Sequence, residues 1–79
     1  MVEEMTWQYR VMRREFPLRA KRKEVVYGIH EVYTSPKGWT ADPVEPHGET
    51  LEELKKDFEM MGEAFKLPVL DYKTGKKVV

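Results

Sequence analysis

The chain has 79 residues, 41% hydrophobic and 35% charged, with 14 basic and 14 acidic side chains and no cysteine. A chain this short buries only about 60% of its unfolded surface, so one modest core is the limit and association would add stability. The lack of cysteine excludes a disulfide framework, a thiolate zinc site and a thiol nucleophile, and the apolar content excludes a disordered chain.

Net charge is zero, but it is unevenly spread. Residues 1–40 hold eight basic and five acidic side chains, residues 41–66 three and eight, and residues 67–79 three and one. The chain is a dipole, basic between Arg10 and Lys23 and acidic along residues 41–66. The first residues carry Glu3 and Glu4 and lead into no apolar leader, and no run has the length to span a bilayer. A cytoplasmic protein with a single domain over residues 1–79 is expected, ordered at about 6–72, with a flexible tail at 73–79.

Residues 7–11 alternate apolar and polar side chains, which predicts a strand pointing Trp7, Tyr9 and Val11 to the core. Pro17 and the basic run around it predict a long hairpin connection over residues 14–23. Residues 25–34 are dense in β-branched and aromatic types and predict a central strand. Ser35, Pro36 and Gly38 occupy the first, second and fourth positions favoured in a type I turn, which predicts a hairpin. Its return strand, residues 38–41, should loosen at Pro43 and Pro46, which donate no ladder hydrogen bond.

The helix carries the clearest signal. Thr50 and Glu53 form a capping box, with Glu49 and Glu52 at the positive end of the dipole. Leu51, Leu54, Phe58, Met61 and Phe65 recur every three or four residues, with Met60 and Ala64 widening the stripe, so a buried face over a helix at 51–66 is expected, stopped by Pro68. Gly62 within it is read either as a close backbone approach or as simple tolerance. Residues 69–72 leave room for a short last strand. The expected fold is α+β, a three-stranded antiparallel sheet packed on one amphipathic helix in the order β-β-β-α.

Candidate chemistry is sparse. His30 and His47 lack the spacing of metal ligands, and Glu31, next to His30 on a strand, points to the opposite face. The helix carboxylates read as a solvated face, the hydroxyl residues lack a nucleophile elbow, and the glycines are isolated from one another. No catalytic, cofactor-binding or metal-ligating residue is assigned, and no cofactor. The one candidate contact set is basic: Arg13, Arg14, Arg19, Lys21, Arg22 and Lys23, near aromatic side chains. It could meet nucleic acid, an acidic protein surface or the acidic helix of another subunit.

The run Gly48, Glu49, Thr50, Leu51, Glu52, Glu53, Leu54, after Trp39, Pro43 and Pro46, resembles the N-terminal domain of HicB-type antitoxins. There, paired strands end in a proline-bearing stretch and a Gly-(Asp/Glu)-Thr-x-x-Glu run opens the helix. The wider pattern over residues 7–72 is also similar to a group of short, uncharacterised bacterial proteins. Two departures are Leu54, where such antitoxins commonly have Ala, and the few residues after the helix, where they carry a DNA-binding segment. The resemblance implies a partial ribonuclease-H-like fold without catalysis that binds and masks a small ribonuclease toxin. A non-enzymatic protein-binding module is therefore expected, with self-association through a sheet edge as a further possibility. The alternative is a small nucleic-acid-binding protein that uses the hairpin at residues 10–23.

Overall fold

A computed structural model describes residues 6–17 and 19–78. The expectations for the first five residues, for Leu18 in the hairpin connection and for Val79 in the tail lie outside the described residues. The chain runs through β1 (Trp7–Pro17), β2 (Lys23–Thr34), β3 (Lys37–Trp39), α1 (Leu51–Gly62) with a 3-10 turn (Glu63–Lys66), and β4 (Leu70–Asp71). The sheet order is β3-β2-β1-β4. The first three strands pair antiparallel and β4 joins β1 in parallel. The class is α+β with strands before the helix, and the short last strand makes the sheet mixed.

The first hairpin departs most from expectation. Instead of ending at residue 11, β1 continues to Pro17, paired without a break from Trp7 opposite Tyr33 to Pro17 opposite Lys23. Arg13, Arg14 and Glu15 have weak strand preference of their own. They lie opposite Tyr27, Val26 and Val25, and cross-strand pairing of this kind outweighs local propensity. The expected ten-residue connection shrinks to a turn around Ala20 and Lys21, at φ +59° and +62°, closed by Arg22 N–H donating to the Arg19 carbonyl at 3.3 Å. Two consecutive left-handed residues give a type I′ turn, whose twist matches that of paired strands.

The second hairpin is shifted by one residue. Thr34 pairs with Lys37, so Ser35 and Pro36, joined by a cis peptide bond, are the two central residues. A cis proline in the third position defines a type VI turn, not the expected type I. β3 stops at Trp39, short of the expected residue 41. The chain then stays beside β2, with Thr40 N–H donating to Glu31 and Val44 N–H to Ile29, at 3.1 and 2.8 Å.

Residues alternate between the two faces of the sheet. On one, α1 lies over Tyr9 and Val11 and buries Met61 and Ala64. Of the three residues expected in the core from residues 7–11, Val11 is buried, Tyr9 is half-buried and Trp7 is exposed. On the other face Met12, fully enclosed, lies with His30 and Leu70. Residues 73–78, read from sequence as a turn and a tail, fold back here. Asp71 N–H donates to Lys76, Gly75 N–H to Asp71 and Val78 N–H to Val69. Gly75 has φ +74°, and a Cβ there would sit 2.5 Å from the Trp39 ring, so both conformation and space call for glycine.

The helix begins at its expected cap. Glu53 N–H donates to Thr50 Oγ1 at 3.1 Å, and Glu53 Oε2 accepts from Glu49 N–H at 3.0 Å. Gly48 packs so close that a Cβ would lie 2.3 Å from Leu54 N. Gly62 has open space, which leaves simple tolerance, at the point where α geometry tightens to 3-10.

The buried stripe is the main correction. Leu51, Leu54, Phe58, Met60 and Phe65 are exposed, and of the expected face Met61 and Ala64 are buried. At 100° per residue, Asp57 points about 100° away from Phe58 and about 120° from Leu51, with Met61 between Asp57 and Leu54. The helix is rolled so that Asp57, not Phe58, faces the sheet.

These placements set the expected stability changes. Met12→Ala should cost about 2–5 kcal/mol by leaving a cavity. Thr50→Ala should cost about 1 kcal/mol through the lost cap. Phe58→Ala should stay within about 0.5 kcal/mol in the isolated chain, as at a surface position. Urea denaturation of the three variants measures all of these.

Candidate functional site

The six candidate basic residues divide into two groups. Arg13 and Arg14 are neighbours on β1 and point to opposite faces. Arg13 donates to Glu15 at 3.0 Å, and that hydrogen bond holds its guanidinium above the ordinary range. Arg14 stacks on Tyr72, 4.1 Å from the ring centre, and on Phe16 at 4.5 Å, and its Nη1 donates to the Ala41 carbonyl at 3.2 Å. Both arginines are engaged within the chain. Lys23 lies 3.7 Å from Glu15.

Arg19, Lys21 and Arg22 are different. They lie exposed on the type I′ turn, and the ion pairs among the described residues do not include them. A left-handed non-glycine residue costs on the order of 1 kcal/mol or more, so the turn at Ala20 and Lys21 holds its three cations outward at some expense. Lys23, though near Glu15, is also exposed, so of the six these three are the ones both displayed and outside those ion pairs.

Beside the hairpin is an open cleft of about 610 Å³ whose lining includes Arg14, Lys23, Trp39, Asp71, Tyr72 and Lys73. Its aromatic wall is built by the C-terminal segment. The rings of Tyr72 and His30 are 5.6 Å apart, and the Tyr72 hydroxyl donates to Ala41 at 3.1 Å. His30, 2% exposed, has its Nδ1 2.9 Å from the Thr40 carbonyl, which suits a structural histidine tying β2 to the residue after β3.

A second cleft, about 760 Å³, separates α1 from the proline-bearing arm and is edged by Glu31, Glu45, Glu53 and Asp57. Its two central carboxylates already have partners. Asp57 accepts from the Tyr9 hydroxyl at 2.5 Å and from His47 N–H at 2.8 Å, and Glu31 accepts from the Tyr33 hydroxyl at 2.6 Å. The Tyr9 hydrogen bond, then that from His47, holds the Asp57 carboxyl below its ordinary value. Burial, and next the bond to Asp57, pushes the Tyr9 hydroxyl up. Each group keeps the other in the form the hydrogen bond needs. Among the described residues no three His, Asp or Glu side chains gather as metal ligands would, and no helix is long and apolar enough to cross a membrane.

The most conspicuous surface was read from sequence as core. Pro46, Leu51, Leu54, Phe58 and Lys55 line a shallow groove of about 410 Å³ on the outer side of α1. Leu51 is 81% and Phe58 64% exposed. The missed signal was Asp57: a carboxylate beside the stripe takes the inward position once a hydroxyl on the sheet is there to meet it. The described fold therefore offers an apolar helix face edged by Lys55, within a net acidic segment, and a hairpin tip bearing cations. Comparisons with protein-family models, curated proteins and solved structures found no match.

The Tyr9–Asp57 contact has a pH signature. A carboxyl held below its ordinary 3.8 contributes stability above that pH, which is lost as pH falls through the folded value. Asp57→Asn should lower the thermal midpoint near neutral pH and lose less on acidification below about pH 4 than the unsubstituted chain. Thermal melts across the acid range check it.

Proposed function

We propose that this chain is a non-enzymatic protein-binding module. That the apolar stripe of α1 points to solvent carries this reading: Leu51, Phe58 and Phe65 are each more than 60% exposed in a chain with few buried residues. An apolar patch with a charged rim is the usual character of a protein contact surface. The engagement of Asp57 and Glu31 as acceptors supports a structural role for the carboxylates over acid–base work. The likeness of residues 48–54 to HicB-type antitoxins suggests one class of partner, a small toxin-like protein.

A second reading rests on Arg19, Lys21 and Arg22 at the hairpin tip, which could hold phosphates of a nucleic acid. Arg13 and Arg14, engaged with Glu15, Tyr72 and Ala41, add little to it.

Two measurements separate the readings. Affinity capture from the native extract should give a stoichiometric protein partner with the unsubstituted chain and lose it with Phe58→Glu, a substitution that the exposed site tolerates. Retention of the same partner by Phe58→Glu would refute the helix face as contact surface. Oligonucleotide binding across a salt series should show little affinity. The nucleic-acid reading requires a steep salt slope, reduced by about one for each of Arg19, Lys21 and Arg22 changed to Ala.

A further inference from the structure

The chain exposes more surface than a compact protein of its mass. Its 6745 Å² compares with about 5,000 Å² expected for a folded monomer of 9.4 kDa. Its radius of gyration, 14.6 Å, compares with about 11.6 Å for a compact domain of this length. Among the described residues the buried apolar ones are Val11, Met12, Met61, Ala64 and Leu70.

Among the described residues, two elements leave apolar side chains open. One is the outer face of α1. The other is the distal half of the first hairpin, where residues 14–17 and 23–26 pair only with each other, since β3 reaches β2 at Val32 to Thr34 and β4 reaches β1 at Met12 and Arg13. A two-stranded ribbon is marginal in water by itself. This one leaves Val25, Val26 and Tyr27 exposed, with Phe16 at its edge. Between residues 13 and 24 it carries six basic and two acidic side chains, whereas residues 41–66, which hold the helix, carry three and eight.

Each chain thus carries a net basic ribbon, with Val25 and Tyr27 exposed on one face and Val26 and Phe16 on the other, and an apolar groove in a net acidic segment, lined by Lys55 with Glu52 and Glu59 beyond it; its net charge is zero. Opposite ends of the fold hold them. Tyr9 and Asp57 fasten the helix near the start of β1, and the ribbon projects from the other end of the same strand. Resting on the reading of the α1 face as a protein contact surface, we propose that its occupant is the distal hairpin of a second copy of this chain. In a two-fold dimer each hairpin lies over Leu51, Leu54 and Phe58 of the other copy, its Arg19, Lys21 and Arg22 near the partner helix's carboxylates. Such a contact is self-complementary and closes at two copies. Charge sets its register, and apolar burial supplies the affinity.

Sedimentation equilibrium over a concentration series tests this, with far-UV circular dichroism to confirm folding. The unsubstituted chain should approach twice 9.4 kDa. Leu51→Glu and Phe58→Glu, at positions largely exposed in the single chain, should each weaken self-association about tenfold or more. So should a hairpin variant with Lys21→Glu and Arg22→Glu, and a helix variant with Glu52→Lys and Glu59→Lys. Mixing the hairpin variant with the helix variant should restore a dimer, because both of its contacts then join opposite charges. An unsubstituted chain that stays monomeric, or a dimer indifferent to all these changes, overturns the proposal. If the chain is monomeric yet Phe58→Glu abolishes capture of a different protein, the second-copy assignment falls and the protein-binding reading stands. If Phe58→Glu alters neither, both fall.

Discussion

The helix side of this protein depends on Asp57. Its two carboxylate oxygens accept from the Tyr9 hydroxyl on β1 and the His47 amide in the proline-bearing arm, so one side chain joins sheet, arm and helix. With Asp57 turned inward, Phe58 must turn outward, since a helix advances 100° per residue. The magnitudes bear on why. Hydrogen bonds to a charged group contribute about 1.5–3 kcal/mol each, and burying a Leu or Phe side chain contributes a similar amount. In the isolated chain, then, two hydrogen bonds compete with three or four apolar side chains left in water. That roll makes energetic sense where the apolar stripe is covered from outside.

On the opposite face the organising residue is Tyr72. Its amide donates to the Arg13 carbonyl, its hydroxyl donates to Ala41, and its ring meets His30, Trp39 and the Arg14 guanidinium. The C-terminal segment thus closes over Met12, and Gly75 lets it approach Trp39. This small second core also explains the division of the basic residues. Arg14 is drawn into the aromatic cluster and Arg13 pairs with Glu15, while the turn at Ala20 and Lys21 presents the remaining cations beyond both cores. The hairpin is consequently two things along its length, a packed sheet near its base and a bare ribbon at its tip.

Much of the fold was legible from local signals. Thr50 and Glu53 marked the helix start, the density of β-branched and aromatic residues marked β2, and the order of elements indicated α+β. Boundaries set by pairing were less legible: β1 reaches Pro17 because residues 23–27 lie beside it, and the second turn is one residue earlier because Thr34 pairs with Lys37. The basic residues of the candidate set were legible as a cluster, but not their division into engaged and displayed. That depended on Phe16 and Tyr72 bracketing Arg14 and on Glu15 reaching Arg13.

By itself the amino-acid sequence determined where chain-local physics acts alone: the helix cap, the strand-rich first half, the charge asymmetry and the existence of an apolar stripe on the helix. Which way that stripe faces was decided only by tertiary structure. A helical repeat specifies that side chains share a face, whereas the direction of that face depends on what the sheet offers to the residues beside it. Here Tyr9 offers a hydroxyl to Asp57, and what reads as a core becomes a surface.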